Sequence, residues 1–163
     1  NPAADRIRVV NDKGQNLRLH PVTAELASTD PTLQYAPGDS HHGKTPAVTA
    51  AAYTYNQQDS KITTNYAIDI TAGNLLTQGT KEGTTPAVSP NTGQLFTVGS
   101  LGLAALQQVS FDISDLSNIG LVAASTAAEP ASTLYQIDLS SGKTKKLGTL
   151  ADGSALAGIA IEP

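Results

Sequence analysis

The stretch "LYQIDLSSGKTKKLG", Leu134 to Gly148, has a counterpart in "NYAIDITAGNLLTQG", Asn65 to Gly79. Tyr66 and Tyr135, Ile68 and Ile137, Asp69 and Asp138, Gly73 and Gly142, and Gly79 and Gly148 all correspond at one separation of 69 residues. Each copy reads as strand, turn, strand. The aspartate near the end of the first strand can accept hydrogen bonds from the backbone of the turn. The glycine four residues later supplies the positive φ that closes it. The Gly-x5-Gly spacing recurs at Gly93 and Gly99, and a degenerate third copy, "NLRLHPVTAE" from Asn16 to Glu25, puts His20 in the aspartate place and Ala24 in the glycine place. The repeats predict an all-β, antiparallel architecture with tight turns at Gly73, Gly93 and Gly142. Short strands repeated in this way point to β-propeller-like blades, each covering its neighbour.

The rest of the chain supports that reading. "RIRVV" (Arg6 to Val10), "NDKG" (Asn11 to Gly14) and "QNLRL" (Gln15 to Leu19) spell a hairpin: alternation, turn residues, alternation. "AVTAAAYTYN" from Ala47, "QLFTVGSL" from Gln94, "VSFDI" from Val109, "IGLVAAS" from Ile119 and "LAGIAIE" from Leu156 are further short strands between Gly, Pro, Asn, Asp and Ser. A helix needs an apolar stripe at 3.6-residue spacing over ten or more residues. "LGLAALQQV", Leu101 to Val109, is the one stretch that hints at it. The expectation is a single repeat domain over residues 1–163 with about three to four blades of sequence, which is short for a closed ring.

Composition narrows the function. With five Tyr, two Phe and no Trp, the core must be built from small residues, which suits thin, closely stacked sheets. A net charge of −4 with ten Lys and Arg provides no basic stripe for phosphates, so nucleic acid is not an expected partner. No apolar run approaches the roughly 20 residues that cross a bilayer as a helix, and membrane insertion is not expected. The absence of Cys excludes disulfides, thiolate catalysis and Cys-based zinc sites, and is compatible with an exported bacterial protein. Low charge and abundant Thr and Ser lean the same way, towards an extracellular or periplasmic location. The chain has no Met and begins Asn1-Pro2, which reads as a processed chain or a fragment of a longer precursor.

"NPAADRIRVVNDKGQNLRL" (1–19), "AVTAAAYT" (47–54), "SPNTGQLFTVGSLG" (89–102) and "STLYQIDLSSGKTKKLGTL" (132–150) resemble a bacterial family of exported proteins classed only as a domain of unknown function, whose members repeat a "LYxIDxxTGxxxxVG" unit. The resemblance covers nearly the whole chain. It implies a β-propeller-like fold and brings no catalytic residues. Members of that family usually carry further repeat sequence ahead of the "NPAADR" stretch, and their counterpart of residues 37–44 is commonly Gly/Asn-rich without paired histidines.

Candidates for chemistry are few. "PGDSHHGK", Pro37 to Lys44, holds Asp39, Ser40, His41 and His42. A serine hydrolase needs a base within reach of its serine, and only the adjacent His41 and His42 or the distant His20 could serve. Asp39, His41 and His42 also supply one carboxylate and two imidazoles to a metal, without a third spaced ligand. The bland alternative is a polar loop bent at Pro37, Gly38 and Gly43. "FDISDLSN" places Asp112, Asp115 and Asn118 at three-residue intervals, hard oxygen ligands suited to calcium but lacking the glycine and bidentate glutamate of an EF-hand. Turn capping at strand ends is the simpler explanation and the one expected, for these as for Asp69 and Asp138. Tyr53, Tyr55, Tyr66 and Tyr135 read as packing anchors or as a carbohydrate-binding surface.

Gly73, Gly79, Gly93, Gly99, Gly142 and Gly148 therefore read as structural turns, with no catalytic residue and no cofactor expected. The resulting expectation is a non-catalytic extracellular β-repeat protein acting as a binding or scaffold module. A structural subunit of a self-assembling surface layer or filament is the alternative, and a metal-dependent or serine hydrolase using residues 37–44 the second alternative. "LAGIAIE" and "NPAADRIRVV" look like blade edges wanting partners, so self-association or pairing with a retained precursor fragment is expected.

Overall fold

The computed structural model describes residues 4–59, 61–150, 153 and 156–162, and arranges them as three β-sheets. The first sheet is β1 (Ile7–Val10), β2 (Asn16–Leu19) and β3 (Leu26–Thr29) in sequence order. The second is a meander of β5 (Val48–Tyr53), β6 (Asn65–Asp69), β7 (Asn74–Gln78) and β8 (Gln94–Ser100), with the two-residue β4 (Gln34–Tyr35) added parallel to β8 at its edge. The third is the meander β9 (Leu106–Ile113), β10 (Gly120–Thr126), β11 (Thr133–Ile137) and β12 (Thr144–Thr149). Apart from β4 with β8, every strand pair is antiparallel.

The second sheet lies between the other two, as burial along its strands records. All five residues of β6 and all five of β7 are buried, so neither face meets solvent. Period-two alternation then sorts the side chains. Tyr66, Ile68 and Leu75 join Val109, Phe111 and Ile113 of β9, Val122 of β10 and Tyr135 and Ile137 of β11 in one core. Ala67 and Leu76 join Leu33, Tyr35, Val48 and Leu95, with Val10 of β1 packed against them, in another. Small residues on β5, Ala50 and Ala52, let the first strands of neighbouring sheets approach, so β5 lies against β9 and β1 against β5.

Four hairpins share one turn. Gly73 N–H donates to Asp69 O, Gly142 to Asp138 O, Ala24 to His20 O and Asn118 to Ser114 O, at 2.7–2.9 Å. The last residue of each turn has φ between +54° and +78°. The first residue's side chain accepts from the turn's own N–H groups: Asp69 from Thr71 and Ala72, Asp138 from Ser140, His20 from Val22 and Thr23, Ser114 from Ser117. Hydrogen bonds from Ser140 and Ser141 hold the Asp138 carboxyl down to about 2. The third copy read at His20 and Ala24 is thus present in the structure, and a fourth, disguised as Ser114 and Asn118, joins it.

The second glycines of the Gly-x5-Gly units do not form one class. Gly79 has φ +77°, whereas Gly99 and Gly148 are not among the residues with positive φ. A Cβ on Gly99 would overlap Ser141 O, and one on Gly142 would sit 2.6 Å from Gly99 O. These two glycines let β8 of the second sheet touch the β11–β12 turn of the third, backbone to backbone. Gly148 has open space around it.

Two sequence expectations are corrected. Residues 101–109 are not helical: Gly102 and Ala105 take positive φ, and β9 begins at Leu106, where Val109 pairs with Ala124 of β10. Leu101, Leu103, Leu106 and Val109 all pack into one core, from a turn and the irregular start of β9, and this imitates a short helical stripe. "LAGIAIE", residues 156–162, forms no strand and joins no ladder. Ile159 N–H goes to Ser110 Oγ and Ile161 N–H to Asp112 Oδ2, so side chains of β9 accept what a neighbouring strand's carbonyls would otherwise take. The expected strand start at "NPAADRIRVV" is met at Ile7; Asn1, Pro2 and Ala3 lie outside the described residues.

Candidate binding site

Residues 36–44 wind through successive turns: Asp39 N–H bonds Ala36 O, His42 N–H bonds Asp39 O and Lys44 N–H bonds His41 O. Gly38 and Gly43 supply φ of +87° and +84° at the bends, as the bland reading of the loop requires. What fixes the loop to the second sheet is Asp39. Its carboxylate accepts from Thr97 N–H at 2.6 Å, Thr97 Oγ1 at 3.0 Å and His41 N–H at 2.8 Å. Burial alone would raise its pKa, but these donors outweigh it and hold the group below the ordinary carboxylate value.

The two histidines part company. His41 stacks on Tyr35 with ring centroids 5.2 Å apart, and its Nε2 faces Asn74 Nδ2 at 3.3 Å. Its Nδ1 meets Ser40 Oγ at 3.1 Å, Thr97 Oγ1 at 3.3 Å and Asp39 Oδ1 at 3.6 Å. An amide donor opposite Nε2 fits the tautomer with its proton on Nδ1. His42 is exposed, with Nδ1 at 3.2 Å from Tyr35 O. His42→Asn is expected to change unfolding free energy by no more than about 0.5 kcal/mol, and His41→Asn to cost about 1–2 kcal/mol through the lost stack and hydrogen bonds, both read from urea unfolding.

This geometry bears on hydrolysis. In a serine triad the acid holds Nδ1 and the nucleophile faces Nε2. Here Asp39 and Ser40 both crowd Nδ1, and Nε2 faces an amide. The imidazole has no free nitrogen with which to take a proton from Ser40 while Asp39 holds the other.

Beneath the loop, Tyr35 donates its phenol proton to Asp69 Oδ2 at 2.6 Å, and Ala47 N–H bonds the same oxygen at 3.2 Å. Burial, and then Asp69 itself, push the Tyr35 phenol pKa well up. Asp69 is thus more than a copy of Asp138: one oxygen closes its own turn and the other anchors Tyr35. A cavity of about 390 Å³ opens beside them, lined by Tyr35, His41, Lys44, Thr45, Asp69 and Thr71. Among the described residues no group of three or more His, Cys, Asp or Glu is placed to hold a metal ion.

Asp112, Asp115 and Asn118 do not act together. Asp112 accepts from Ile113 N–H and Ile161 N–H. Asn118 clamps the backbone of Tyr55, accepting from its N–H and donating to its carbonyl, both at 2.8 Å. Asp115 is exposed. Of the tyrosines, Tyr66 and Tyr135 are buried in the core, and Tyr53 receives Arg8 Nε at 2.9 Å, so these three anchor packing; Tyr55 does not.

Sequence reasoning missed the largest polar assembly. Arg8, whose side chain is 3% exposed, bonds Tyr53, Asn16, Asn91 and Asp30. Asp30 also takes both prongs of Arg18 at 2.9 Å and the Ser28 hydroxyl. Gln78 of β7 continues the network to Asn16 at 3.0 Å and Asn65 at 3.1 Å, binding the first sheet to the second. The only signal in the sequence is arginine inside two alternating strands, Arg8 and Arg18.

A family model described as a domain of unknown function (DUF4394) matches residues 1–160. No curated protein matches the chain, and no solved structure does.

Proposed function

Since the chain belongs to this family of unknown function, we propose that it is a non-catalytic binding or scaffold module whose three sheets are consecutive blades of a β-propeller-like array, working outside the bacterial cell or in the periplasm. One observation carries the non-catalytic part. Of the side chains that the sequence offers to chemistry, Asp39, Asp112 and Asn118 hold the main chain of neighbouring strands and loops, and the imidazole of His41 is taken up by Tyr35, Asn74 and Thr97. Three meanders stacked face to face, with β1, β5 and β9 side by side, support the blade reading. The lack of Cys and the low charge support the location. The test is a panel of chromogenic ester, glycoside and phosphate-ester substrates. No turnover is expected; turnover that disappears in His41→Ala would return the reading to a hydrolase at the 37–44 loop.

A specific observation favours self-assembly as the second reading. On the first sheet the pairs Ile7 with Leu19, Val9 with Leu17 and Leu19 with Leu26 put five aliphatic residues on one face. Ile7 is 48% exposed and Leu26 60%, while Arg8 and Arg18 turn inward to Asp30. An uncharged aliphatic face of this kind associates with others of its own sort. Sedimentation velocity over a concentration series is expected to show association that Val9→Lys weakens about tenfold, the cost of bringing a charge into an apolar contact. A chain that stays monomeric at every concentration would remove this reading.

A further inference from the structure

Only one tyrosine is left without a task in the fold. Tyr35 is 2% exposed and bonded to Asp69, Tyr66 and Tyr135 are 6% and 7% exposed, and Tyr53 receives Arg8. Tyr55 is 37% exposed in a chain with only five Tyr, two Phe and no Trp. It lies just beyond the end of β5, beside a groove of about 400 Å³ where the β5–β6 and β9–β10 loops meet.

The backbone there is held by side chains of the two loops, while other polar groups of the groove stay unused. Asn118, in the positive-φ place of its turn, pins Tyr55 through both backbone groups. Gln57 Nε2 bonds Leu116 O at 3.1 Å, which ties the two loops together a second time. Asn56 Oδ1 accepts from Gln58 N–H and Asp59 N–H, fixing the bend between them. Tyr55, Asn56, Gln58 and Glu82 line the groove, and among the described residues no hydrogen bond engages the Tyr55 hydroxyl, the Asn56 and Gln58 side-chain N–H groups or the Glu82 carboxylate. A flat ring flanked by amides and one carboxylate on a pre-ordered backbone suits a ligand with an apolar ring face and many hydroxyls.

Resting on the binding-module reading, we propose that this groove is a subsite for a neutral oligosaccharide, with Tyr55 as the stacking platform and Asn56, Gln58 and Glu82 as hydrogen-bonding partners of its hydroxyl groups. Acidic saccharides are disfavoured by Glu82 and by the chain's net charge of −4. Tyr55 and Glu82 touch the sugar; Asn118 is a positioning residue that acts through the Tyr55 backbone.

The test titrates the ¹⁵N-labelled full chain with chitohexaose, cellohexaose and maltohexaose, each up to about 5 mM, and with oligogalacturonate as the acidic comparison. At least one neutral hexasaccharide is expected to shift the amide signals of residues 55–58, 82 and 117–118, and oligogalacturonate to leave them in place. Tyr55→Ala is expected to weaken that binding about tenfold or more, with Tyr55→Phe close to wild type and the melting temperature of both unchanged. If none of the three sugars moves these signals, or if the shifts survive Tyr55→Ala, the groove is not a saccharide subsite. Shifts elsewhere on the chain would overturn this site while leaving the binding-module reading intact, and that reading fails separately, on substrate turnover.

Discussion

Asp30→Ala is expected to cost about 3–5 kcal/mol of unfolding free energy and to lower the melting temperature by roughly 6–20 °C. The substitution removes the one carboxylate facing two guanidinium groups. Arg8 would keep only neutral partners at 3% exposure, and a buried cation without its counter-charge is among the few changes that reach this size. Arg18, at 23% exposure, can turn partly to solvent, so most of the loss falls on Arg8. Glu129→Ala removes an ion pair of similar length, 3.2 Å to Lys146, but with both side chains about half exposed. It is expected to cost no more than about 0.5 kcal/mol. Urea midpoints of the three proteins at neutral pH check the comparison; a midpoint for Asp30→Ala within error of wild type would show that the network is incidental to stability.

The same carboxylate makes stability depend on pH with a definite sign. Burial pushes the Asp30 pKa up, but hydrogen bonds from Arg18, Ser28 and Arg8 outweigh burial and hold it below its ordinary value. A folded-state pKa below the unfolded one contributes stability that is complete above the unfolded pKa of about 4 and lost as pH falls through the folded value. Asp39, lowered by Thr97 and His41, adds in the same direction. Wild-type urea midpoints should therefore fall more steeply below about pH 4 than those of Asp30→Ala, which has already lost the Asp30 contribution.

What the sequence made legible was local. A turn is closed by an acceptor and by a residue of positive φ four places later, and both are written within five residues, so the copies at Asp69, Asp138 and His20 could be read. The copy at Ser114 escaped because serine and asparagine perform the same two tasks less conspicuously. Alternation in "RIRVV" and "NLRL" separates two faces of a sheet without saying which one is covered, and the covered one is the arginine face. Its counter-charge, Asp30, lies 22 residues from Arg8. The 37–44 loop shows the same limit. Its bends follow from Gly38 and Gly43, whereas the partners that set the roles of Asp39 and His41, Thr97 and Asn74, lie 58 and 33 residues away. Tyr55 is fixed by Asn118 from a distance of 63 residues. Such pairings are made by strand order and loop return within a sheet, or by stacking of two sheets in the case of Tyr55 and Asn118, and no short stretch of sequence encodes either.

Gly99→Ala should be the most damaging alanine substitution at a glycine whose backbone alanine can adopt, at about 3 kcal/mol or more. Gly99 is not among the positive-φ glycines, so alanine meets no backbone penalty there, and the whole cost is contact. The added methyl carbon would overlap Ser141 O and stand 3.1 Å from its carbonyl carbon. Neither atom is the end of a flexible side chain. Relief requires β8 and the β11–β12 turn to move apart, and this strains the nearby bond from Thr144 Oγ1 to Leu101 O and opens the core shared by Leu75, Phe111, Val122 and Tyr135. Gly148 tests the argument from the opposite side. It occupies the same second place in its Gly-x5-Gly unit, is also absent from the positive-φ set, and has no neighbouring atom within 4 Å of where an added methyl would stand. Gly148→Ala should therefore stabilise by up to about 1 kcal/mol, because the unfolded chain loses freedom and the folded one loses nothing. Urea unfolding of the two variants beside wild type gives opposite signs if close sheet stacking explains the glycine repeat, and equal small losses if the repeat serves turn geometry alone.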